Sequence, residues 1–300
     1  MSEFSRTGLS PIFLKGKTAM PDFFEGKMAL MATMHQKEKW IGPVLEKGLG
    51  LTIKPIPSFD SDALGTFAGD VERPGNQWET ALFKLDGARE LMPDSDLFIV
   101  SEGAFFPHPE MPFVTRNLEL LVLKDFRENV TVRARNIENG FPLWESEIRQ
   151  WADILPKLEN RNFDEEGLIL KAKSGDIWLV YKDFDRVEDV RKAYEEFKKT
   201  GLPVALLGPD LRAHRNLRRR QNLVLAAKDL VRNANRFCSG CGSPGFSSDH
   251  FQPGLPCGWC GLPTRLPKAE IFKCLRCQWE QEQALPEKEA DPAFCDFCNP

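Results

Sequence analysis

The spacing of hydrophobic positions changes repeatedly between residues 28 and 236, and each change marks a new element. Residues 28–33 (MALMAT) form a short apolar run of the kind a buried strand shows, and 36–48 then place Trp40, Ile41, Val44 and Leu45 on one helical face. Residues 51–56 read as a second strand and 57–75 as a polar, glycine-containing loop. Asn76 with Glu79 three residues later has the form of a capping box, and Ala81, Leu82, Leu85 and Ala88 carry a helical stripe that Pro93 ends. Residues 97–100 (LFIV) are a compact strand stopping at Ser101-Glu102-Gly103, and 118–124 with 130–135 read as a strand pair across a charged turn. Trp144, Ile148, Trp151, Ile154, Leu155 and Leu158 keep helical spacing and predict almost four turns. Strands at 168–171, 177–180 and 204–207, with helices at 187–199 and 217–236, complete the pattern. The hairpins require antiparallel pairing, so the pattern predicts an α/β domain with a mixed sheet and flanking helices, not a purely parallel doubly wound one.

Composition adds three constraints. Hydrophobic residues at 42% and charged residues at 28% of 300 fit a globular chain. A net charge of -4 confines any nucleic-acid role to a local basic patch. No apolar run is long enough to span a membrane, and residues 1–26 lack the apolar core of a secretory signal, which predicts a cytoplasmic protein with no membrane partner. All eight cysteines follow residue 237. The expected organisation is an N-terminal extension (1–27), the α/β domain (28–237) and a small Cys-rich, zinc-ribbon-like module (238–300).

The cysteines form four C-x-x-C pairs, Cys238/Cys241, Cys257/Cys260, Cys274/Cys277 and Cys295/Cys298, separated by 15, 13 and 17 residues. Each pair presents two thiolates from one tight turn, and two turns complete a tetrahedral site, so the eight ligands predict two structural Zn²⁺ ions. A disulfide framework fits poorly with a large domain that has no cysteine, and an iron-sulfur cluster fits poorly with the even spacing. Cys257/Cys260 with Cys274/Cys277 looks like a ribbon around a hairpin, leaving the outer pairs to close the second site; sequential and interleaved pairings stay open. Residues 238–300 hold eight acidic residues against five Lys/Arg, which does not suit a phosphate-tracking surface.

Three polar clusters carry candidate chemistry in the α/β domain. In 209–220 (PDLRAHRNLRRR), Asp210 is a candidate metal ligand, His214 a proton carrier, and Arg212 and Arg215 phosphate partners. From 212 to 236 there are eight Lys/Arg and one acidic residue, a candidate nucleic-acid contact, although Arg219, Arg220 and Arg232 individually read as a solvated helix face. Glu102, directly after LFIV, is a candidate Mg²⁺ ligand at a strand end, with His108 a few residues beyond. Thr33, His35 and Lys37 in TMHQKEK suit an anion near a helix N-terminus, though the segment is no P-loop.

ATMHQKEK, SEGAFFPHPEMPF, RAHRN and the C-terminal series ending FCDFCNP together resemble a bacterial family described only as domain of unknown function 6671, across nearly everything after Met28. The resemblance implies no particular chemistry. A second one, over 29–103, is to the inosine/xanthosine triphosphate pyrophosphatases. Thr33, Glu72, Glu79-Thr80 and Glu102-Gly103 sit in places comparable to that family's pattern, whose Asn and Lys positions are occupied here by His35 and Glu38.

Three readings follow. The first is a Mg²⁺-dependent hydrolase of nucleotides or other phosphorylated small molecules, with Glu102 and Asp210 on the metal, Lys37 and Arg212 on phosphate, and His214 or His108 moving a proton. The second is a non-catalytic binder of nucleotide or nucleic acid through 212–236, and the third is a protein-interaction module.

Overall fold

The computed structural model describes residues 23–33, 36–57, 59 and 75–300. Twelve strands and four α-helices follow one another among them. The helices are α1 (Glu38–Leu49), α2 (Gln77–Leu91), α3 (Val187–Lys199) and α4 (Leu217–Ala234).

The central sheet is mixed, as the hairpins require. It holds β1 (Met28–Ala32), β2 (Thr52–Pro55), β3 (Leu97–Pro107), β4 (Thr115–Asp125) and β5 (Val130–Asn139) in the order β2-β1-β3-β4-β5. β1 runs parallel to β2 and β3, and β3, β4 and β5 pair antiparallel. Its inner strands are nearly continuous apolar runs because both faces are covered. Met31, Ile99, Leu121 and Leu123 meet α1 and α4 through Ile41, Leu45, Leu223 and Leu230. Leu30, Phe98, Val100 and Val122 meet Ala81, Leu85 and Ala88 of α2. Asn76 caps α2 by accepting from the backbone N–H of Trp78 and Glu79, both at 3.0 Å, while Glu79 accepts from the Asn76 N–H at 2.9 Å. Phe24, within the expected extension, is buried in the α1/α4-side core.

A second, wholly antiparallel sheet comprises β6 (Ser146–Ile148), β7 (Leu168–Ser174), β8 (Ile177–Tyr181) and β9 (Ala205–Pro209) in the order β6-β9-β7-β8. Leu168, Leu170, Ala172 and Leu207 pack there against Val190, Ala193 and Phe197 of α3.

Two elements depart from the apolar pattern. The helix expected over 144–158 is instead β6 followed by two short 3-10 turns, Trp151–Asp153 and Leu155–Lys157. Asp153 accepts the N–H groups of Arg149 at 2.9 Å and Gln150 at 3.0 Å, and Pro156 has no N–H to continue an α-helix. The helical spacing arose because Ile148, Ile154 and Leu158 all enter the second core. The strand expected to stop at Val100 continues to Pro107, since β4 pairs with it along its whole length. Glu102 therefore lies within a strand, not at its end.

The cysteine region folds around β10 (Ser247–Pro253), β11 (Pro267–Lys273) and β12 (Glu280–Ala284), an antiparallel sheet in that order that the apolar pattern did not announce. It docks on the edge strand β5: Arg133 pairs with the Asp249 carboxylate, and Arg135 Nη2 donates to the Asp249 carbonyl at 2.8 Å. Arg236 stacks over Phe272 at 4.6 Å. Gly245 makes this approach possible. Its φ is +94°, and a Cβ there would stand 2.9 Å from the Thr131 carbonyl oxygen. Gly245→Ala is expected to cost about 1–3 kcal/mol and to loosen the cysteine region from β5, read as a lower thermal midpoint together with faster proteolysis near residue 245.

Candidate functional site

The antiparallel sheet of the cysteine region decides which thiols meet. Cys238/Cys241 precede β10 and Cys274/Cys277 follow β11, and Ser247 pairs with Lys273, so both pairs lie at one end. Cys257/Cys260 follow β10 and Cys295/Cys298 come after β12, at the other end, about 20 Å away for seven-residue strands. Successive strands reverse direction, so successive cysteine pairs fall at alternate ends. The two sets are Cys238, Cys241, Cys274 and Cys277, and Cys257, Cys260, Cys295 and Cys298. This interleaved pairing replaces the ribbon pairing of Cys257/Cys260 with Cys274/Cys277 favoured by their proximity in sequence.

Each set can hold a metal ion. The sulfurs of Cys238 and Cys277 are 3.7 Å apart, those of Cys241 and Cys274 3.7 Å, of Cys257 and Cys298 3.9 Å, and of Cys260 and Cys295 3.7 Å. A tetrahedron with metal–sulfur bonds of about 2.3 Å has sulfur–sulfur edges of about 3.8 Å, so these sets are spaced for tetrathiolate coordination. Within each set the thiols share their protons unequally: backbone N–H groups of Cys260 and Trp259 hold Cys257 down and that of Trp279 holds Cys277 down, while burial pushes Cys241 up and the neighbouring thiols push Cys298 up. Among the described residues, these two sets are the only groups of three or more His, Cys, Asp or Glu placed to hold a metal.

A second polar assembly lies where β1 ends beside β3. Ala32 is in register with Val100, and the connections through α1 and α2 leave on opposite faces, the place at which open α/β sheets form ligand crevices. Lys37 Nζ donates to Ser101 Oγ at 2.9 Å. On the α2 face, Lys84 pairs with Glu102 at 2.5 Å; on the opposite face, Arg219 of α4 pairs with Glu119 of β4 at 2.6 Å. Burial first, then the charges of Arg219 and Lys84, push the Lys37 ammonium down from 10.5 to about 7, against the opposing influence of Glu119 and Glu102. The hydroxyls of Thr33 and Thr80 are buried and have no hydrogen-bond partner among the described residues.

The expected site residues divide between different places. Thr33, Lys37 and Glu102 belong to this assembly, whereas His35 lies outside the described residues, as does Glu72. His108 lies six residues beyond Glu102, in the connection after β3, where its Nδ1 accepts from the N–H of Glu110 at 3.2 Å and Met111 at 3.3 Å. Asp210 and Arg212 form their own junction: Arg212 holds Asp210 through Nε at 3.0 Å and Nη2 at 2.6 Å and also reaches Asp183 at 2.7 Å. Burial opposes the charge on Arg212, yet the two aspartates hold its pKa above the ordinary value. Arg215 pairs with Asp185 at 2.7 Å, and His214 Nε2 stands 3.9 Å from Asp183. Glu102 and Asp210 thus sit on separate cations and share no metal-spaced group among the described residues.

The basic segment is also engaged internally. Arg218 pairs with Glu138, Arg220 donates to the His214 carbonyl at 3.2 Å and stacks over Trp40, and Arg232 pairs with Asp229 at 2.6 Å. Arg219, expected on a solvated face, is only 1% exposed.

Lys84, Glu119 and the amide chain Asn136–Asn222–Asn117 were not among the residues expected from the sequence. Their signal was positional. Asn117 and Glu119 share the core-facing parity of Leu121 and Leu123, and Lys84 adjoins the buried stripe of Ala81, Leu85 and Ala88.

Residues 88–300 match the model of a family described as a domain of unknown function, DUF6671. No curated protein matches the chain.

Metal analysis of serine variants tests the pairing. Cys241→Ser with Cys277→Ser should lose one metal and keep the other, whereas Cys257→Ser with Cys274→Ser should lose both; the ribbon pairing demands the reverse. A pH series tests Lys37. Between pH 7 and 10.5 the unfolded chain binds the extra proton, so stability should rise with pH across that window. Lys37→Met should stabilise the protein at pH 6–7 and flatten the rise, which amounts to roughly 5 kcal/mol at most; an unchanged slope in urea unfolding would contradict the depressed ammonium.

Proposed function

The chain belongs to the DUF6671 family, and we propose that it holds a phosphate-bearing small molecule of the nucleotide class in the crevice between β1 and β3, with Zn²⁺ in its two cysteine sets. One observation carries the reading: among the described residues, the buried cations Lys37, Lys84 and Arg219 gather with the carboxylates Glu102 and Glu119 at the end of a parallel strand. Lys84 and Arg219 each have a carboxylate, while Lys37 has a hydroxyl. A phosphate oxygen arriving at Lys37 would add a counter-charge beyond Glu102 and Glu119 and favour the ammonium. The buried hydroxyls of Thr33, just after β1, and Thr80, on α2, are further donors.

Hydrolysis of such a ligand is the reaction this site suits. Mg²⁺ is commonly held by one or two carboxylates together with substrate phosphates and water. Glu102 is the carboxylate in position for that role, provided that it exchanges Lys84 for the ion. Lys84 would then be free to meet phosphate. In this reading Asp210 and Arg212 position the segment leading into α4 and touch no substrate. Zn²⁺ suits the four-thiolate sets, leaves no open coordination position there, and would serve folding.

Calorimetric titration with nucleoside mono-, di- and triphosphates, with and without Mg²⁺, tests the reading. Affinity should fall about tenfold or more in Lys37→Met and remain unchanged in Arg218→Gln. Where Mg²⁺ supports release of phosphate or pyrophosphate, Glu102→Gln should lower the rate on the order of 100-fold. Absence of binding by every nucleotide, or full affinity in Lys37→Met, would sink the proposal.

A further inference from the structure

The two metal-binding ends of the cysteine region differ in what they show to solvent. In the set nearer the α/β part, the turn residues are Ser239-Gly240 and Leu275-Arg276, and Cys238 and Cys274 pack with Phe246 and Phe272 in a small core. In the distal set, the third residue of each C-x-x-C turn is aromatic: Trp259, 79% exposed, and Phe297, 72% exposed. Cys257 with Cys298 and Cys260 with Cys295 bring these turns face to face, so both rings project from one metal-binding knot. Leu262 and Phe294 are exposed beside them. Large rings in water on a rigid support are unfavourable unless another surface covers them at some stage.

The surrounding charge identifies what that surface carries. The chain from β12 to the last turn contains Glu287, Glu289, Asp291 and Asp296 against the single cation Lys288. The Glu289 carboxylate lies against Gly258, next to Trp259, because Ala290 N–H donates to the Pro256 carbonyl at 2.7 Å and Gly258 N–H to the Ala290 carbonyl at 3.0 Å. Asp296 adjoins Phe297 and is held by Arg265 at 2.7 Å. β12 is exposed along its length and, among the described residues, pairs only with β11; Glu282 lies at its centre, while Glu280, at the end near the other cysteine set, pairs with Lys273 at 2.8 Å. A phosphate backbone is repelled by this rim, and a second copy would set acidic surface against acidic surface.

We propose that the distal metal-binding knot is a docking surface for an extended segment of another protein that carries alternating apolar and basic side chains, with Trp259 and Phe297 taking the apolar groups and Glu289 and Asp296 the basic ones. The open edge of β12 supplies unpaired backbone groups to which such a segment can add as a strand. The surface is separate from the crevice between β1 and β3, and its occupation requires no nucleotide.

Fluorescence anisotropy of a labelled eight-residue peptide of alternating lysine and leucine, measured with the metal-loaded full chain, tests this. The basic peptide should bind at least tenfold more tightly than its glutamate-for-lysine counterpart and than a labelled single-stranded oligonucleotide. Trp259→Ala with Phe297→Ala should weaken binding at least tenfold, and Glu289→Lys with Asp296→Lys should do the same while sparing the rings. Each variant is compared at equal metal content, so loss of the fold is separated from loss of the surface. Equal binding of the acidic peptide, tighter binding of the oligonucleotide, or full affinity in the metal-replete double variants would overturn the proposal.

Discussion

Arg219 is the side chain on which the α/β part converges. It is buried at the first turns of α4 and donates through Nε to Glu119 of β4 at 2.6 Å and through Nη1 to the Leu211 carbonyl at 2.5 Å. Leu211 belongs to the segment leaving the second sheet, so one guanidinium ties α4, the central sheet and the chain between the sheets. Removing one partner of such a buried pair typically costs about 3–5 kcal/mol, because the other charge is left without compensation. The arrangement also uses a glycine: a Cβ on Gly103 would displace the guanidinium end and press on both Glu119 oxygens, 3.0 Å away. The run Ser101-Glu102-Gly103 is therefore one hydroxyl for Lys37, one carboxylate for Lys84 and one vacancy for Arg219, presented on alternate faces of β3.

The rest of 210–216 serves the same junction. Asp210 N–H donates to the Gly167 carbonyl at 2.7 Å, Gly167 N–H to the Arg215 carbonyl at 2.8 Å, and Leu217 N–H to the Glu165 carbonyl at 2.8 Å. Arg212 and Arg215 then reach Asp183 and Asp185 in the connection between β8 and α3. A dense row of arginines that resembles an electrostatic footprint in one dimension is, in three, mostly a set of internal ion pairs. At the end of β1, Lys37 meets a hydroxyl where Lys84 and Arg219 meet carboxylates.

The cysteine region follows a different logic. Its small apolar cluster contains only Phe246 and Phe272 besides two cysteines, so a metal held by the thiol sets would supply what a core does elsewhere. The interleaved sets stand at both ends of one antiparallel sheet. The near end rests on β5, whose outer edge would otherwise be open, while the far end keeps its rings in solvent.

Much of this was already determined by the sequence. Short continuous apolar runs located β1 and β3, because burial on both faces demands them, period-3.6 spacing located α2 and α4, which bury one face, and Asn76 with Glu79 marked the α2 cap. Four C-x-x-C turns specified two four-thiolate sets, since ligand number is a property of composition. Tertiary structure alone decided the remainder. Which turns share a metal depended on strand direction, which the apolar pattern of 247–284 does not reveal. The spacing at 144–158 imitated a helix because three separated residues enter one core. Arg219 looked solvated, and Asp210 looked available to a metal, because a charge in a sequence shows its own sign but not its partner. Glu119 lies a hundred residues from Arg219, and only folding brings them together.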